Sequence, residues 1–180
     1  MPDIEEKILS SEPIYEGKLV KLYRDTVQLP DGNRADREIV KHTGAVAMVP
    51  LLPGGDVLLV RQYRTAARRI LLEIPAGTLE PGEDPLNAAV RELQEETGYK
   101  PGKLARLGAE FTAPGYTTEI IYLFIATDLE AARLDADDDE FIEVVRLPFD
   151  EAVRQVIAGE IPDGKTQLAL LLTAEYLKRG

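Results

Sequence analysis

Apolar residues at Leu86, Ala89, Val90 and Leu93 recur at intervals of three and four, which predicts a helix from Pro85 with one buried face. Proline suits the first helical turn, and Gly98 predicts the stop. Upstream the pattern changes. "GKLVKLYRDTVQL" and "REIVKHTGAVAMVPLL" read as extended runs around the turn "PDGN", which predicts a hairpin. A second turn, "PGGD", precedes "VLLVRQYR", a strand that starts apolar and ends basic. "ILLEIPAGTLEPGED" is expected to be extended and loop-like, because its prolines and glycines interrupt any helix. "IIYLFIATDL" and "IEVVRLP" read as strands, and "DEAVRQVIAGE" and "DGKTQLALLLTAEYLKRG" as helices. No internal repeat is visible. The elements predict a mixed α/β domain with a β-rich N-terminal appendage.

Composition narrows the class. With 180 residues, 44% of them hydrophobic, the chain can build one core of ordinary size. Its apolar runs, such as "LALLLTA", fall well short of the roughly 20 residues a membrane-spanning helix needs, so a soluble protein is expected. The acidic start "MPDIEEKILSS" lacks the basic-then-apolar pattern of a secretion signal, and the absence of cysteine excludes disulfides and thiolate metal sites. A cytoplasmic location follows as an expectation. The formal charge of −11, from 32 acidic and 21 basic residues, opposes attraction to nucleic acid. Acidic residues gathered in a cleft could instead hold divalent cations, and a phosphate-bearing substrate could bind through them.

One stretch suggests such a cleft. On the predicted helix Glu92 and Glu96 lie four residues apart on one face, where like charges repel, and Glu95 lies beside them, four residues from Arg91. An ordinary surface helix would alternate signs. Three carboxylates at the end of the apolar stripe suggest a site for a hard cation, and the preceding "PAGTLEPGE" could bring backbone carbonyls to the same ion. The chemistry implied is metal-assisted attack on a phosphate anhydride.

Gly77, Glu83, Arg91, Glu92, Leu93, Glu95, Glu96, Gly98 and Tyr99 match the fixed positions of the Nudix box, and the chain resembles the Nudix hydrolases on that basis. The resemblance implies a mixed β-sheet sandwiched between helices, with residues 44–180 as the hydrolase domain and 1–43 as a β-rich N-terminal dimerisation region. It implies Mg2+, or Mn2+ in its place, with more than one ion per site, held by Glu92 and Glu96, assisted by Glu95 and the Ala76 carbonyl. Arg91 and Glu83 are expected to brace these groups.

Pro114 in "TAPGYTTE", together with "VRQYR", "LEIPAGTLEPGE" and "DDDEFIEVV", resembles the ADP-ribose pyrophosphatase subgroup. By that resemblance Arg64 would grip phosphate, as a guanidinium fork suits its oxygens. Glu80, Gly115 and Glu119 would approach the adenosine or terminal ribose. Arg37 and Glu38 would cross to a partner's substrate site, which makes the protein a homodimer. His42, the sole histidine, is expected to be structural. In the acidic run "DADDDEFIEVV" a glutamate would act as general base, Glu140 first and Glu143 second. The expected reaction is hydrolysis of ADP-ribose to AMP and ribose 5-phosphate. The alternatives are another nucleoside diphosphate sugar, such as GDP-mannose or ADP-glucose, and an ADP-ribose sensor that does not cleave.

Overall fold

The computed structural model describes residues 4–134 and 141–178. The chain forms two compact units, one comprising Met1–Gly44 and Phe111–Ile120, the other Ala45–Glu110 and Ile121–Gly180.

The first unit is an antiparallel sheet of β1 (Lys7–Glu16), β2 (Lys21–Gln28) and β3 (Arg34–Lys41), with β2 in the middle. The predicted hairpin is β2–β3. Its turn closes through Gly32 N–H to the Leu29 carbonyl at 2.9 Å, and the Asp31 side chain accepts the Asn33 N–H. β1 was not visible in the sequence pattern. Register shifts between Ile8 and Ser10 and between Pro13 and Tyr15 break the two-residue alternation, so its apolar residues fall in adjacent pairs. All ten of its residues are exposed, Ile8 and Tyr15 among them. The predicted run from Arg37 onward also divides, because Gly44, with φ +98°, ends the extended stretch before the next strand.

The second unit holds β4 (Ala45–Pro50), β5 (Asp56–Arg64), β6 (Arg69–Glu73), β7 (Ala76–Thr78), α1 (Pro85–Thr97), β8 (Tyr99–Phe111), β9 (Ile120–Ala131), β10 (Ile142–Pro148), α2 (Phe149–Ile157) and α3 (Gly164–Leu177). One mixed sheet runs β7-β4-β9-β8, with β4 parallel to β9 and antiparallel to β7; an antiparallel sheet runs β10-β5-β6. The segment expected as loop therefore contains two short strands, one on either side of Ile74–Pro75.

β4 is buried at every position and its alternation sorts the core. Val46 and Met48 pack with Ala88, Ala89 and Leu93 of α1, whereas Ala45, Ala47 and Val49 pack with Phe149 and Ala152 of α2 and Ala169 and Leu170 of α3. Helices thus cover both faces of the mixed sheet, as expected. Leu93 is fully buried, so Leu93→Ala would cost about 2–5 kcal/mol. No described helix is long and apolar enough to cross a membrane.

Candidate functional site

α1 is fixed at both ends by local chemistry. The Asp84 carboxylate accepts the N–H groups of Leu86 and Asn87, Pro85 occupies the first turn, and Gly98 closes the helix at φ +78° with its N–H on the Gln94 carbonyl. The apolar stripe anchors Leu93 in the core, which carries Arg91, Glu92, Glu95 and Glu96 to the border between core and solvent.

Arg91 organises the acids. Its Nε and Nη2 donate to the two Glu83 oxygens at 3.1 and 3.0 Å, and its Nη1 donates to Glu92 Oε1 at 2.6 Å and Glu95 Oε2 at 3.0 Å. The guanidinium pKa is raised, chiefly by the Glu83 hydrogen bonds and against the opposing effect of burial, with Glu92 adding to it. The Glu83 carboxyl is correspondingly held below its ordinary value, first by Arg91. Glu83 also accepts the Glu80 N–H, so it ties the loop to the helix. Arg91 and Glu83 brace the site as expected.

The β7 backbone meets α1 at two points. Met48 N–H binds the Pro75 carbonyl on the β4 side. In an antiparallel pair the next residue, Ala76, then turns its N–H and carbonyl toward the free edge of the sheet. There the Ala76 N–H donates to Glu96 Oε2 at 2.9 Å. One residue on, the Glu92 carboxylate lies against Gly77, where a Cβ would sit 1.9 Å from Glu92 Cδ. Gly77 is required for that close approach, since its φ is unexceptional.

These groups offer only oxygen donors, the choice of hard cations such as Mg2+ and Mn2+. Among the described residues no three acidic or imidazole side chains converge tightly enough to hold an ion unaided. Mg2+ needs only one or two carboxylates from a protein and completes its shell with water and substrate phosphate. Arg91 supplies positive charge to the same carboxylates.

Arg64 lies beside this cluster. Its Nε and Nη2 donate to the two oxygens of Glu73 at 2.8 and 2.9 Å, and its pKa is raised first by those bonds and, at longer range, by the charges of Glu96 and Asp163. Glu73 is buried at 1% exposure and also accepts from Lys165. Sequence reasoning missed Glu73 and Lys165, because 92 residues separate them and no motif joins them.

The remaining predicted residues divide between the units. Glu143, on β10, pairs with Arg61 at 2.9 Å. Its strand register with β5 puts it on the face of Arg61 and Tyr63, opposite the face of Arg64. With them it lines a surface groove of about 360 Å³. Glu140 lies outside the described residues. Glu80 is exposed in the loop before α1.

Arg37, Glu38, Gly115 and Glu119 belong to the other unit. Arg37 binds Glu6 through Nε at 3.1 Å and Nη2 at 2.6 Å, and Glu38 stands opposite Arg24. A Cβ on Gly115 would meet nothing within 4 Å. Glu119 accepts from Thr112 at 2.8 Å and lies 3.6 Å from His42 Nε2. His42 Nδ1 accepts the Gly44 N–H, a structural role that closes the bend after β3.

A loop and helix that gather glutamates around one arginine and a glycine against a β-edge define a class. Residues 41–168 match the NUDIX domain, residues 6–40 match the nucleoside diphosphate sugar hydrolase N-terminal domain, and the chain belongs to the Nudix hydrolase family. It is 42% identical over 172 residues to an ADP-ribose pyrophosphatase of Bacillus subtilis (strain 168), covering 94% of this chain and 93% of the relative. It is also 42% identical over 168 residues to a methanol dehydrogenase activator of Bacillus methanolicus, covering 92% and 91%. The crystal structure of an ADP compounds hydrolase shares the fold with a TM-score of 0.87 at 27% identity, covering 97% of this chain and 95% of that one. Nudix ADP-ribose pyrophosphatases depend on divalent metal ions.

Proposed function

We propose that this protein hydrolyses the diphosphate bond of ADP-ribose, yielding AMP and ribose 5-phosphate. The observation that carries the reading is the grouping of Glu92, Glu95 and Glu96 around Arg91 and the Ala76–Gly77 backbone. The near end-to-end similarity to the B. subtilis ADP-ribose pyrophosphatase supports the choice of substrate.

Glu92, Glu96 and the Ala76 carbonyl, with Glu95 assisting, would hold Mg2+ or Mn2+, more than one ion per site. Such ions would neutralise the diphosphate and acidify water. Arg91 holds Glu92 and Glu95 in place, and Gly77 leaves room for Glu92. Arg64, partly exposed beside Glu96, binds a phosphate oxygen. Water attacks one phosphorus, the bridging P–O bond breaks, and the proton passes to Glu140. Of the two candidate bases Glu140 is favoured, since Glu143 is already paired with Arg61 on the opposite strand face.

Glu80, Gly115 and Glu119 approach the adenosine or the terminal ribose, and Arg37 and Glu38 contribute to the substrate site of a partner subunit. The protein acts as a homodimer in the cytoplasm. Exposed apolar residues along β1 support dimerisation, because such residues on an edge strand favour association. The test is kcat/KM measured side by side for ADP-ribose, ADP-glucose and GDP-mannose at saturating Mg2+. The highest value for ADP-ribose supports the reading. A higher value for another sugar reassigns the substrate contacts, and tight binding of ADP-ribose without turnover indicates a sensor.

A further inference from the structure

The Arg64–Glu73 pair belongs to a closed hydrogen-bonded ring. Arg64 donates to Glu73, and Lys165 Nζ donates both to Glu73 and to the two Asp163 oxygens, the latter at 3.0 Å. Asp163 is the N-cap of α3 and accepts the Thr166 N–H and hydroxyl. The Thr166 hydroxyl in turn accepts the Ile74 N–H at 2.9 Å, which returns the ring to the residue after Glu73.

Burial in the ring is uneven. The side chains of Glu73, Lys165 and Asp163 are 1%, 13% and 17% exposed, whereas that of Arg64 is 40% exposed. Arg64 spends Nε and Nη2 on Glu73, which leaves Nη1 without a protein partner among the described residues. Burying carboxylates and an ammonium is a poor way to gain stability, since well-packed apolar residues serve as well or better. The ring is better suited to holding one guanidinium at a fixed point, with its free edge outward. Its other end holds a backbone: Thr166 binds Ile74 N–H, Met48 binds the Pro75 carbonyl, and Glu96 binds Ala76 N–H, three successive anchors.

We infer that Lys165 and Thr166, in the first turn of α3, are positioning residues for the diphosphate site. Lys165 acts through Glu73 on the Arg64 guanidinium, and Thr166 acts through the Ile74 N–H on the Ala76 backbone. The inference rests on the function proposed above. Lys165 matters electrostatically as well as sterically: Arg64 and Lys165 balance Glu73 and Asp163, and without Lys165 the group would carry a net negative charge beside a phosphate.

A double-mutant cycle tests the first arm. Lys165→Met and Arg64→Ala should each raise KM for ADP-ribose about tenfold with kcat little changed, as loss of a charge-assisted contact predicts. In the Arg64→Ala background Lys165→Met should add nothing, and Lys165→Arg should restore most of the wild-type KM. If Lys165→Met does not fold, Glu73→Gln/Lys165→Met carries the same comparison, since it removes the fully buried carboxylate along with its cation and leaves Asp163 held by the Thr166 N–H and hydroxyl. Thr166→Val tests the second arm in the absence of substrate. Mn2+ affinity, read by electron paramagnetic resonance, should weaken about tenfold.

A wild-type KM for Lys165→Met, or the same KM increase with and without Arg64, would overturn the first arm. Unchanged Mn2+ affinity in Thr166→Val would overturn the second. A wild-type KM for Arg64→Ala would sink the phosphate reading along with the inference, whereas an impaired Arg64→Ala beside a normal Lys165→Met sinks the inference alone.

Discussion

The Glu92 carboxylate rests on the α-carbon of Gly77, so close that a Cβ there would lie 1.9 Å from its Cδ. A glycine at this point is a condition of where the carboxylate sits. Gly77→Ala has an allowed backbone conformation, so the fold should survive and Glu92 should swing aside. Turnover should fall about 10–100-fold with a change in Tm of a few degrees at most, measured by kinetics and thermal melts on the same sample.

Replacing Glu96 by glutamine keeps its size and removes its charge. If Glu96 holds a catalytic cation, kcat at saturating Mg2+ should fall by at least about 100-fold. Near-wild-type turnover would remove Glu96 from the ligand set.

Arg91 is the cation shared by Glu83, Glu92 and Glu95. Arg91→Met removes the cation these three carboxylates share and should destabilise the protein by about 2 kcal/mol. Added Mn2+ should then raise Tm more in the variant than in the wild type, since the ion takes over part of the lost charge. Equal shifts in both proteins would separate Arg91 from the cation site.

Acid should release a defined part of the stability. Burial, the largest single influence on Glu73, pushes its pKa up, but Arg64 and Lys165 together outweigh it and hold the carboxyl below its ordinary value. A carboxyl whose folded pKa lies below its unfolded value, about 4.3, adds stability above that pH and loses it as pH falls through the lower folded value. The stability difference between wild type and Glu73→Gln, from urea unfolding, should therefore be constant from about pH 5 to 7 and shrink below about pH 4. A pH-independent difference would contradict the depressed pKa.

Dimerisation through β1 predicts a sedimenting species of twice the chain mass. Ile8→Glu, at a position 66% exposed in the chain, should convert it to monomer with the Ala45–Glu110 and Ile121–Gly180 unit still folded. A monomeric wild type would remove Arg37 and Glu38 from any partner's site.

The parts of the molecule visible in the sequence were those written over a short span. Gly77 through Tyr99 is one loop and one helix, so spacing alone placed Glu92, Glu95 and Glu96 together, and the apolar stripe located α1 between Pro85 and Gly98. The order of strands and helices along the chain indicated only a mixed α/β domain; the layering of the sheet between helices came from the resemblance to the Nudix hydrolases. β1 escaped because two bulges disrupt its period and because its apolar residues are exposed rather than turned to a core. Arg64 was noticed as a basic strand end, yet Glu73, Lys165 and Thr166 were not, since their meeting is set by how α3 packs near β6. A buried glutamate in "LLEIPAG" was the available signal, as an acid inside an apolar run needs a cationic partner somewhere in the fold.

The central claim, metal-dependent cleavage of a diphosphate, is tested most directly by following ADP-ribose with phosphorus NMR in the presence of the purified protein and Mg2+, and then with excess EDTA. The account predicts loss of the two diphosphate resonances, growth of those of AMP and ribose 5-phosphate in equal amounts, and no change with EDTA. Intact ADP-ribose at saturating Mg2+, or cleavage that persists in EDTA, would contradict it.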